Sequence, residues 1–395
     1  MRESLQLQPE EELILLAADI QPESSVLEKL DALIPILQNW EGFSKMAIDR
    51  AAAPLVADKL PLLSNAGRIP QTVLRNLKQA SLRTLTRNML LTEHFRQIVT
   101  AFNAADIPVV ALKGILLMDW LYGNINLRQS SDLDLLVHPE QGLAALEVLD
   151  RMGYVPNSIK LSDFVKEKTS MVHYEPMIKN GVSVEIHVRV HSEAERYHLD
   201  LQSMWANAVT LQLHGVTALG FSPEDLLLHL CVHLDKHFRS GQFQFTSLYD
   251  MVNMLNHKGD VLNWELFEQK CLQADAMGVT YKYLLLVQKY MNGNLPAAIK
   301  VKYAGLMEPK HERIFLGVLR GTGIHTNMIG VLRSMSHLDS FGQRFRFMFD
   351  FFVPSAEFMM RRYHLQSKKQ LWWYYPYRLL TSFRALWQNI RKALK

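Results

Sequence analysis

Residues 181–191, GVSVEIHVRVH, alternate apolar and polar side chains more regularly than any other stretch of this 395-residue chain. Successive side chains of a β-strand point to opposite faces, so the pattern predicts a strand with one buried face and one polar face. The polar face carries Glu185 and His187. The apolar face consists of Val182, Val184, Ile186, Val188 and Val190. The chain therefore contains a β-sheet, and one face of that sheet presents an acid beside an imidazole.

A second strand candidate, SDLDLLV at 131–137, carries two acids inside an apolar run. Asp132 and Asp134 are two residues apart, so in a strand both side chains point the same way. If this strand is a neighbour of 181–191, the two aspartates and Glu185 converge on one patch. An Asp-x-Asp pair taken alone is more often a solvated strand edge or a cap.

Three carboxylates that converge repel one another unless a cation lies between them. Hard oxygen ligands suit Mg²⁺, which completes its coordination shell with phosphate oxygens and water. Two ions held in this way activate an attacking oxygen and stabilise a leaving one. The acids therefore predict Mg²⁺-dependent phosphoryl or nucleotidyl transfer, with Mn²⁺ as an alternative ion.

The segment upstream of these acids reads as a strand, a glycine turn and a helix start. IPVVAL at 107–112 is short, β-branched and apolar, and Lys113 and Gly114 follow it. The free N–H groups at a helix start suit a phosphate. Lys113 and Arg128 would add positive charge around a triphosphate. Either could equally be an ordinary surface charge.

Helical patterns flank this central part. The long amphipathic run that starts at Pro70 and extends to about residue 107 predicts a helix. From about 220 the helical pattern returns, and SPEDLLLHLCVHLDKHF opens with a Ser-Pro-Glu-Asp helix start. We also expect helices in FTSLYDMVNMLNH and WELFEQKCLQADAMG. The sequence thus predicts a small α/β core between two helical regions.

Composition excludes several classes of protein. Hydrophobic residues make up 48% of the chain and charged residues 21%, as in ordinary soluble proteins. No apolar run reaches the roughly 18–20 residues that span a bilayer, and the acidic start does not resemble a signal peptide. Cys231 and Cys271 form no spaced metal cluster and no disulfide framework. We therefore expect a cytoplasmic protein.

The segments ALKGILLMDWLYGNINLRQSSDLDLLVHPEQGLAALEVLDRMGY and VSVEIHVRV together resemble the uncharacterised nucleotidyltransferase family of the DNA polymerase β-like superfamily. SPEDLLLHLCVHLDKHF, YDMVNML and FFVPSAEFMMRRY extend the resemblance to roughly residues 30–370. It implies an α+β fold with a small mixed β-sheet core. The expected organisation is an N-terminal helical region (1–105), the core (106–215), a C-terminal helical domain (216–350) and a basic aromatic tail (351–395).

The resemblance also implies roles for particular residues. Asp132 and Asp134 would hold Mg²⁺, and Glu185 would bind metal or accept a proton from the acceptor. Lys113 and Gly114 stand where the wider superfamily has a Gly-Ser phosphate turn, which is a departure. Phosphate binding would then depend on the backbone, Lys113 and Arg128, and on two serines beside the acids, Ser130 and Ser131.

Candidates for an acceptor cleft come from outside the acids. His229, His233 and His237 recur every four residues and therefore share a helix face. A packed or substrate-facing histidine stripe is the favoured interpretation, and a metal site is the alternative. His187 and Asp250 are the other cleft candidates. A satisfied structural histidine explains His187 equally well, and an aspartate within a helix is more often solvated or paired.

The last 35 residues contain nine Lys or Arg and no acid, interleaved with aromatic residues. A helix that packs its aromatic side on the body of the protein explains this composition. Contact with an anionic membrane surface is the next alternative, and single-stranded nucleic acid is the third.

The sequence therefore predicts a nucleotidyltransferase that moves a nucleoside monophosphate (NMP) from a nucleoside triphosphate (NTP) such as ATP to a hydroxyl group. A small molecule, a sugar or a peptide is the favoured acceptor, as in biosynthetic tailoring, and no obligate protein partner is expected. A non-catalytic nucleotide-binding or antitoxin-like regulatory protein is the alternative. We expect a cytoplasmic location, with peripheral contact at the inner membrane surface as a variant.

Overall fold

The computed structural model describes residues 6–156, 172–191, 197–239, 243–321 and 370–376. The chain divides into two compact units. The first unit, Met1–Asp235 with Gln244–Leu319, contains the β-sheet and the acids discussed above. The second unit comprises Lys236–Phe243 and Arg320–Lys395. The boundary expected near residue 350 lies outside the described residues, so the four-part organisation stays a prediction.

The N-terminal part is helical, as the sequence predicts. The longest helix, α5, has 34 residues and begins directly after Pro70, and Asp106 follows it with a left-handed backbone (φ 53°). Its apolar residues recur at three- and four-residue spacing, so one side is buried against α3, α4 and the sheet. The helices are α1 (Pro9–Leu16), α2 (Ser24–Leu33), α3 (Trp40–Asp49), α4 (Ala53–Lys59) and α5 (Gln71–Ala104).

A seven-stranded mixed sheet forms the core, which confirms the expected α+β fold. Its spatial order is β3-β4-β5-β2-β1-β7-β6. The central pair, β2 and β5, is parallel, whereas β1 pairs antiparallel with β2 and parallel with β7. The strands are β1 (Val110–Ala111), β2 (Leu133–Leu136), β3 (Val155–Pro156), β4 (Met177–Lys179), β5 (Val182–His187), β6 (Val209–Leu213) and β7 (Val216–Gly220).

The three expected strands are present but shorter than their sequence patterns. In β5 the apolar residues are buried and Ser183 and Glu185 are half-buried, so the predicted alternation is confirmed up to His187. Two short helices lie between strands, α6 (Lys113–Trp120) and α7 (Gly142–Arg151), and α8 (Leu201–Ala206) precedes β6. The β6–β7 hairpin was not expected. It turns at His214 and Gly215, both with positive φ, as hairpin turns require.

The C-terminal part returns to helices, again as predicted. They are α9 (Pro223–Arg239), α10 (Phe245–His257), α11 (Trp264–Gln273), α12 (Met277–Met291), α13 (Ala297–Tyr303) and α14 (Pro309–Arg320). The expectation of one helix over WELFEQKCLQADAMG is wrong at its end. Asp275 adopts a left-handed backbone (φ 50°), which stops α11 and lets α12 begin two residues later.

Most of the basic aromatic tail lies outside the described residues. Within 370–376, Trp372 and Trp373 are 84% and 82% exposed. Of the helices in the described ranges, none combines the length and the apolar composition that crossing a bilayer requires.

Candidate active site

The parallel pairing of β2 and β5 brings the acids together. Asp134 lies directly opposite Glu185 in the register of the two strands. Asp132 immediately precedes β2, and its charge interacts with those of Asp134 and Glu185. The sequence predicts this convergence only if the two strands are neighbours, and the sheet order places them side by side.

Asp134 is the centre of the polar network. One carboxylate oxygen is 3.0 Å from the Lys113 Nζ and the other is 3.0 Å from the His187 Nε2. The Asp134 side chain is only 12% exposed. Lys113, whose φ is +42°, also places its Nζ 2.9 Å from the Nε2 of His233 on α9. The lysine therefore links the acid on β2 to the helical part of the first unit.

Burial and neighbouring charges separate the pKa values of the three acids. Burial raises the pKa of Asp134, but the Lys113 ammonium and the hydrogen bond from His187 outweigh it and hold that pKa well below its usual value. Burial and the negative charge of Asp134 raise the pKa of Asp132. The hydrogen bond from His187 lowers the pKa of Glu185. Asp134 and Glu185 are therefore carboxylates at neutral pH.

His187 is protonated more readily than an ordinary histidine. Burial lowers the pKa of its imidazole, but hydrogen bonds to Asp134 and Glu185 outweigh burial and raise that pKa. Its Nε2 lies 3.6 Å from a Glu185 oxygen as well as against Asp134. The imidazole and the Lys113 ammonium thus together offset part of the negative charge of the acids.

These residues fit a divalent cation. Ligand atoms of Asp134, Glu185 and His187 all lie within 4.8 Å of one another. Among the described residues, these three form the group of side chains close enough together to hold a metal ion. Asp132 is not in the group, and its carboxylate accepts a hydrogen bond of 3.0 Å from the Ser131 hydroxyl. The site offers two carboxylates and an imidazole as ligands. Burial and the charge of Asp134 raise the pKa of the adjacent Asp132, so the site favours added positive charge.

The start of α6 lies beside these acids. The N–H of Leu112, the residue before the helix, donates to the Asp134 backbone carbonyl at 3.0 Å. No side chain caps this helix start. Gly114 is its second residue, and a Cβ at that position would lie 2.3 Å from the Ser130 hydroxyl. The helix therefore begins next to the acids, with the backbone N–H groups of its first turn at that end and Ser130 packed closely against Gly114.

Arg128 and Asp250 form a buried ion pair. The Nε and Nη2 of Arg128 donate to the two carboxylate oxygens of Asp250 at 2.9 and 2.7 Å. Their side chains are 8% and 0% exposed, and the Tyr122 hydroxyl donates to the same carboxylate at 3.0 Å. The sequence predicts Arg128 near a phosphate and Asp250 either in an acceptor cleft or as a paired aspartate, and it gives no sign that the two pair with each other.

The histidine stripe divides between two surroundings. His233 meets Lys113, as described above. His229 is buried, and its ring packs edge-on against Phe221 and 5.7 Å from the His233 ring. His237 belongs to the second unit. The structure therefore brings His187 and His233 to the acids and packs His229 in the core behind them.

Two polar residues near the acids, Arg87 and His173, are not predicted from the sequence. Arg87 on α5 donates to the backbone carbonyls of Ser131 and Gly181, one before each acid-bearing strand. His173 lies 3.8 Å from a Glu185 oxygen. Nothing in the local pattern around either residue distinguishes it from a surface charge, because both contacts depend on the sheet order.

A carboxylate pair on adjacent strands beside a helix start suits metal-assisted chemistry on a phosphate group. The family model for uncharacterised nucleotidyltransferases matches residues 37–292, about two thirds of the chain, and the chain belongs to that family. It is an enzyme of the transferase type that moves an NMP from an NTP to an acceptor. The resemblance noted in the sequence analysis is thereby confirmed.

Other comparisons are more distant. No curated protein matches the chain. The solution structure of the antibiotic-resistance factor ANT(2'')-Ia is similar with 11% identity and a TM-score of 0.33, covering 51% of this chain and 97% of that one. The crystal structure of an antigenic nucleotidyltransferase-like protein from Paracoccidioides brasiliensis has 17% identity and a TM-score of 0.30, covering 52% and 92%. The family assignment depends on neither likeness.

Proposed function

We propose that the chain is a Mg²⁺-dependent nucleotidyltransferase whose acceptor is a hydroxyl group of a small molecule, a sugar or a peptide. The observation that carries this proposal is the register of β2 and β5, which sets Asp134 opposite Glu185 with Asp132 two residues ahead. Lys113 and His187 offset part of the charge of Asp134 and Glu185, but burial and the charge of Asp134 still raise the pKa of Asp132, so the patch favours an added cation.

Asp132, Asp134 and Glu185 would hold the metal ions, with His187 as an additional ligand for Mn²⁺, which accepts imidazole more readily than Mg²⁺ does. Divalent ions held there supply the charge that activates the attacking oxygen and stabilises the departing phosphate. Lys113, whose ammonium contacts Asp134, and the first N–H groups of α6, which Lys113 begins, would bind the phosphates.

The transfer would proceed by displacement at the α-phosphorus. The acceptor oxygen forms a new bond to that phosphorus, and the bond between it and the bridging oxygen of the β-phosphate breaks. Pyrophosphate leaves, and Glu185, in the role that is the alternative to holding a metal ion, accepts the proton of the acceptor hydroxyl. His187 and His233, which meet Asp134 and Lys113, would line the side from which the acceptor enters.

Calorimetric titration of each NTP with Mg²⁺ tests the proposal without knowledge of the acceptor. We expect the wild-type protein to bind at least one NTP in a metal-dependent manner, and an Asp132→Asn/Asp134→Asn double variant to lose that binding. Asp49→Asn/Asp260→Asn is the matched control, since it also removes two carboxylate charges. Asp49 is the last residue of α3, and Asp260 lies in a short 3-10 helix after α10. Metal-independent binding in the double variant would favour the non-catalytic alternative, and no binding by the wild type would refute the nucleotide site.

Lys113 gives a second prediction, because its ammonium occupies one oxygen of the proposed metal ligand. We expect Lys113→Met to weaken NTP binding and, in the absence of nucleotide, to tighten Mn²⁺ binding. Each effect should be about tenfold or more, since an ion pair at 3.0 Å with little solvent exposure exceeds the ~1.4 kcal/mol that a tenfold change represents.

Electron paramagnetic resonance of free Mn²⁺ measures this affinity directly. Lys45→Met is the control, because Lys45 pairs with Asp49 on an exposed helix face. Equal Mn²⁺ affinity in the wild type and Lys113→Met would show that the lysine does not compete for Asp134.

A further inference from the structure

A side chain on α5 joins the segments that precede the two acid-bearing strands. Arg87 donates from its Nη1 to the Gly181 carbonyl at 2.9 Å and from its Nη2 to the Ser131 carbonyl. Gly181 lies in the tight turn directly before β5, and Ser131 comes two residues before β2. One planar guanidinium therefore binds both segments, with one nitrogen for each carbonyl.

Asp132 is the acid nearest to these contacts. The paired register of β2 and β5 begins at Leu133 and Val184, so Asp132 lies one residue before the pairing. The Ser131 carbonyl and the Asp132 N–H belong to the same planar peptide group, so a hydrogen bond to that carbonyl restrains the backbone from which the Asp132 side chain starts. Arg87 thus restrains the proposed metal ligand that lies outside the strand pairing.

The segment that leads into β2 contacts α5 at further points. Residues 121–132 contain no helix or strand, so their backbone carbonyls need partners from other parts of the chain. Asn88, which follows Arg87 and is wholly buried, donates from its Nδ2 to the carbonyls of Ile125 and Arg128. Two consecutive residues of α5 therefore hold the segment that carries Asp132 to the sheet.

We propose that Arg87 is a positioning residue for the metal site. By joining the segments before β2 and β5, it holds Asp132 close enough to Asp134 and Glu185 to share metal ions with them. The proposal rests on the proposed function and deepens it, because it gives a helix from the N-terminal part of the chain a role in metal binding. Arg87 acts in this role through Asp132 and contacts no metal ion itself.

The charge and the position of Arg87 have opposite effects on metal affinity. A positive charge near a cation site repels the cation, so loss of the charge alone would tighten metal binding. Loss of the positioning would weaken it. We expect Arg87→Met to bind Mn²⁺ about fivefold more weakly than the wild type, measured by electron paramagnetic resonance of free Mn²⁺ without nucleotide. Arg87→Lys should also weaken binding, because lysine keeps the charge but lacks the planar fork.

An Asp132→Asn background separates positioning from a general structural effect. Asp134, Glu185 and His187 remain there as ligands, so Mn²⁺ binding is still measurable. Adding Arg87→Met to Asp132→Asn should change the affinity by no more than about twofold or tighten it, because the side chain that Arg87 positions is no longer a carboxylate. An arginine that only supported the fold would weaken binding by the same factor in both backgrounds.

Arg83→Met is the matched control. Arg83 lies one turn earlier on α5, is exposed and, among the described residues, makes no hydrogen bond or ion pair. Its loss removes the same charge from the same helix, so Mn²⁺ affinity should stay within about twofold of the wild type. Denaturant unfolding shows which variants are folded, and if Arg87→Met is not, Arg87→Lys decides in both backgrounds.

Two sets of results count against two different proposals. If Arg87→Met and Arg87→Lys bind Mn²⁺ as tightly as the wild type, or lose the same factor with Asp132→Asn present, the positioning role is wrong and the proposed function stands. If the wild type binds neither Mn²⁺ nor an NTP, the proposed function fails, and the role of Arg87 fails with it.

Discussion

Asp134→Asn is expected to lower nucleotidyl transfer about a thousandfold or more, which corresponds to roughly 4 kcal/mol of transition-state stabilisation. Asp134 is the acid that faces Glu185 across the strand pair and also meets Lys113 and His187. An amide in its place keeps the shape and removes the charge that those two cations and the proposed metal ions require. Because Lys113 and His187 then lose their shared acid, the substitution should lower the free energy of unfolding as well, so the rates are compared at a temperature at which both proteins are folded.

Pyrophosphate release from the bound NTP, with a hydroxyl acceptor found by screening, measures this rate. Asp49→Asn serves as the control for loss of one carboxylate from a surface ion pair. Thermal unfolding of both variants shows whether the fold is retained. A rate for Asp134→Asn within tenfold of the wild type would contradict the assignment of Asp134 to the metal site.

Breaking the Arg128–Asp250 pair by a single substitution should cost about 3–5 kcal/mol of the free energy of unfolding, because the remaining charge is buried without its partner. The two side chains are 8% and 0% exposed, so water cannot replace the missing group. Removing both charges together, in Arg128→Met/Asp250→Leu, should recover most of the loss.

Denaturant unfolding of the two single variants and the double variant forms a closed cycle. The exposed pair Lys45–Asp49, with side chains 74% and 46% exposed, is the matched control, and its removal should change the free energy of unfolding by about 1 kcal/mol or less. Single variants as stable as the wild type would show that the pair does not support the fold.

The parts of the site that could be predicted are those with a local signature. The alternation in 181–191 follows from the two-residue period of a strand and is confirmed over β5, whereas Asp132 precedes β2, so the shared strand face of Asp132 and Asp134 stays a prediction. The helix after Pro70 follows equally from its own periodicity. None of these features depends on which element lies next to which.

The rest depends on neighbours in space. No local pattern predicts that β2 pairs in parallel with β5. The sequence alone therefore cannot establish that Asp134 lies opposite Glu185. Arg128 and Asp250 are 122 residues apart, and although an aspartate within a helix is often paired, nothing in the sequence names Arg128 as its partner. The inclusion of His187 with the acids and the contact of Lys113 with His233 arise in the same way, through packing of distant segments.

The backbone of Lys113 has a consequence for how the site is prepared. At φ +42° a lysine is held in a conformation that costs on the order of 1 kcal/mol, and a glycine would adopt it freely. The chain nevertheless has a lysine at this position, and its ammonium lies between Asp134 and His233, a contact that glycine could not make. The strain is thus a form of preorganisation: part of the work of placing a cation beside the acids is done during folding, before any substrate arrives.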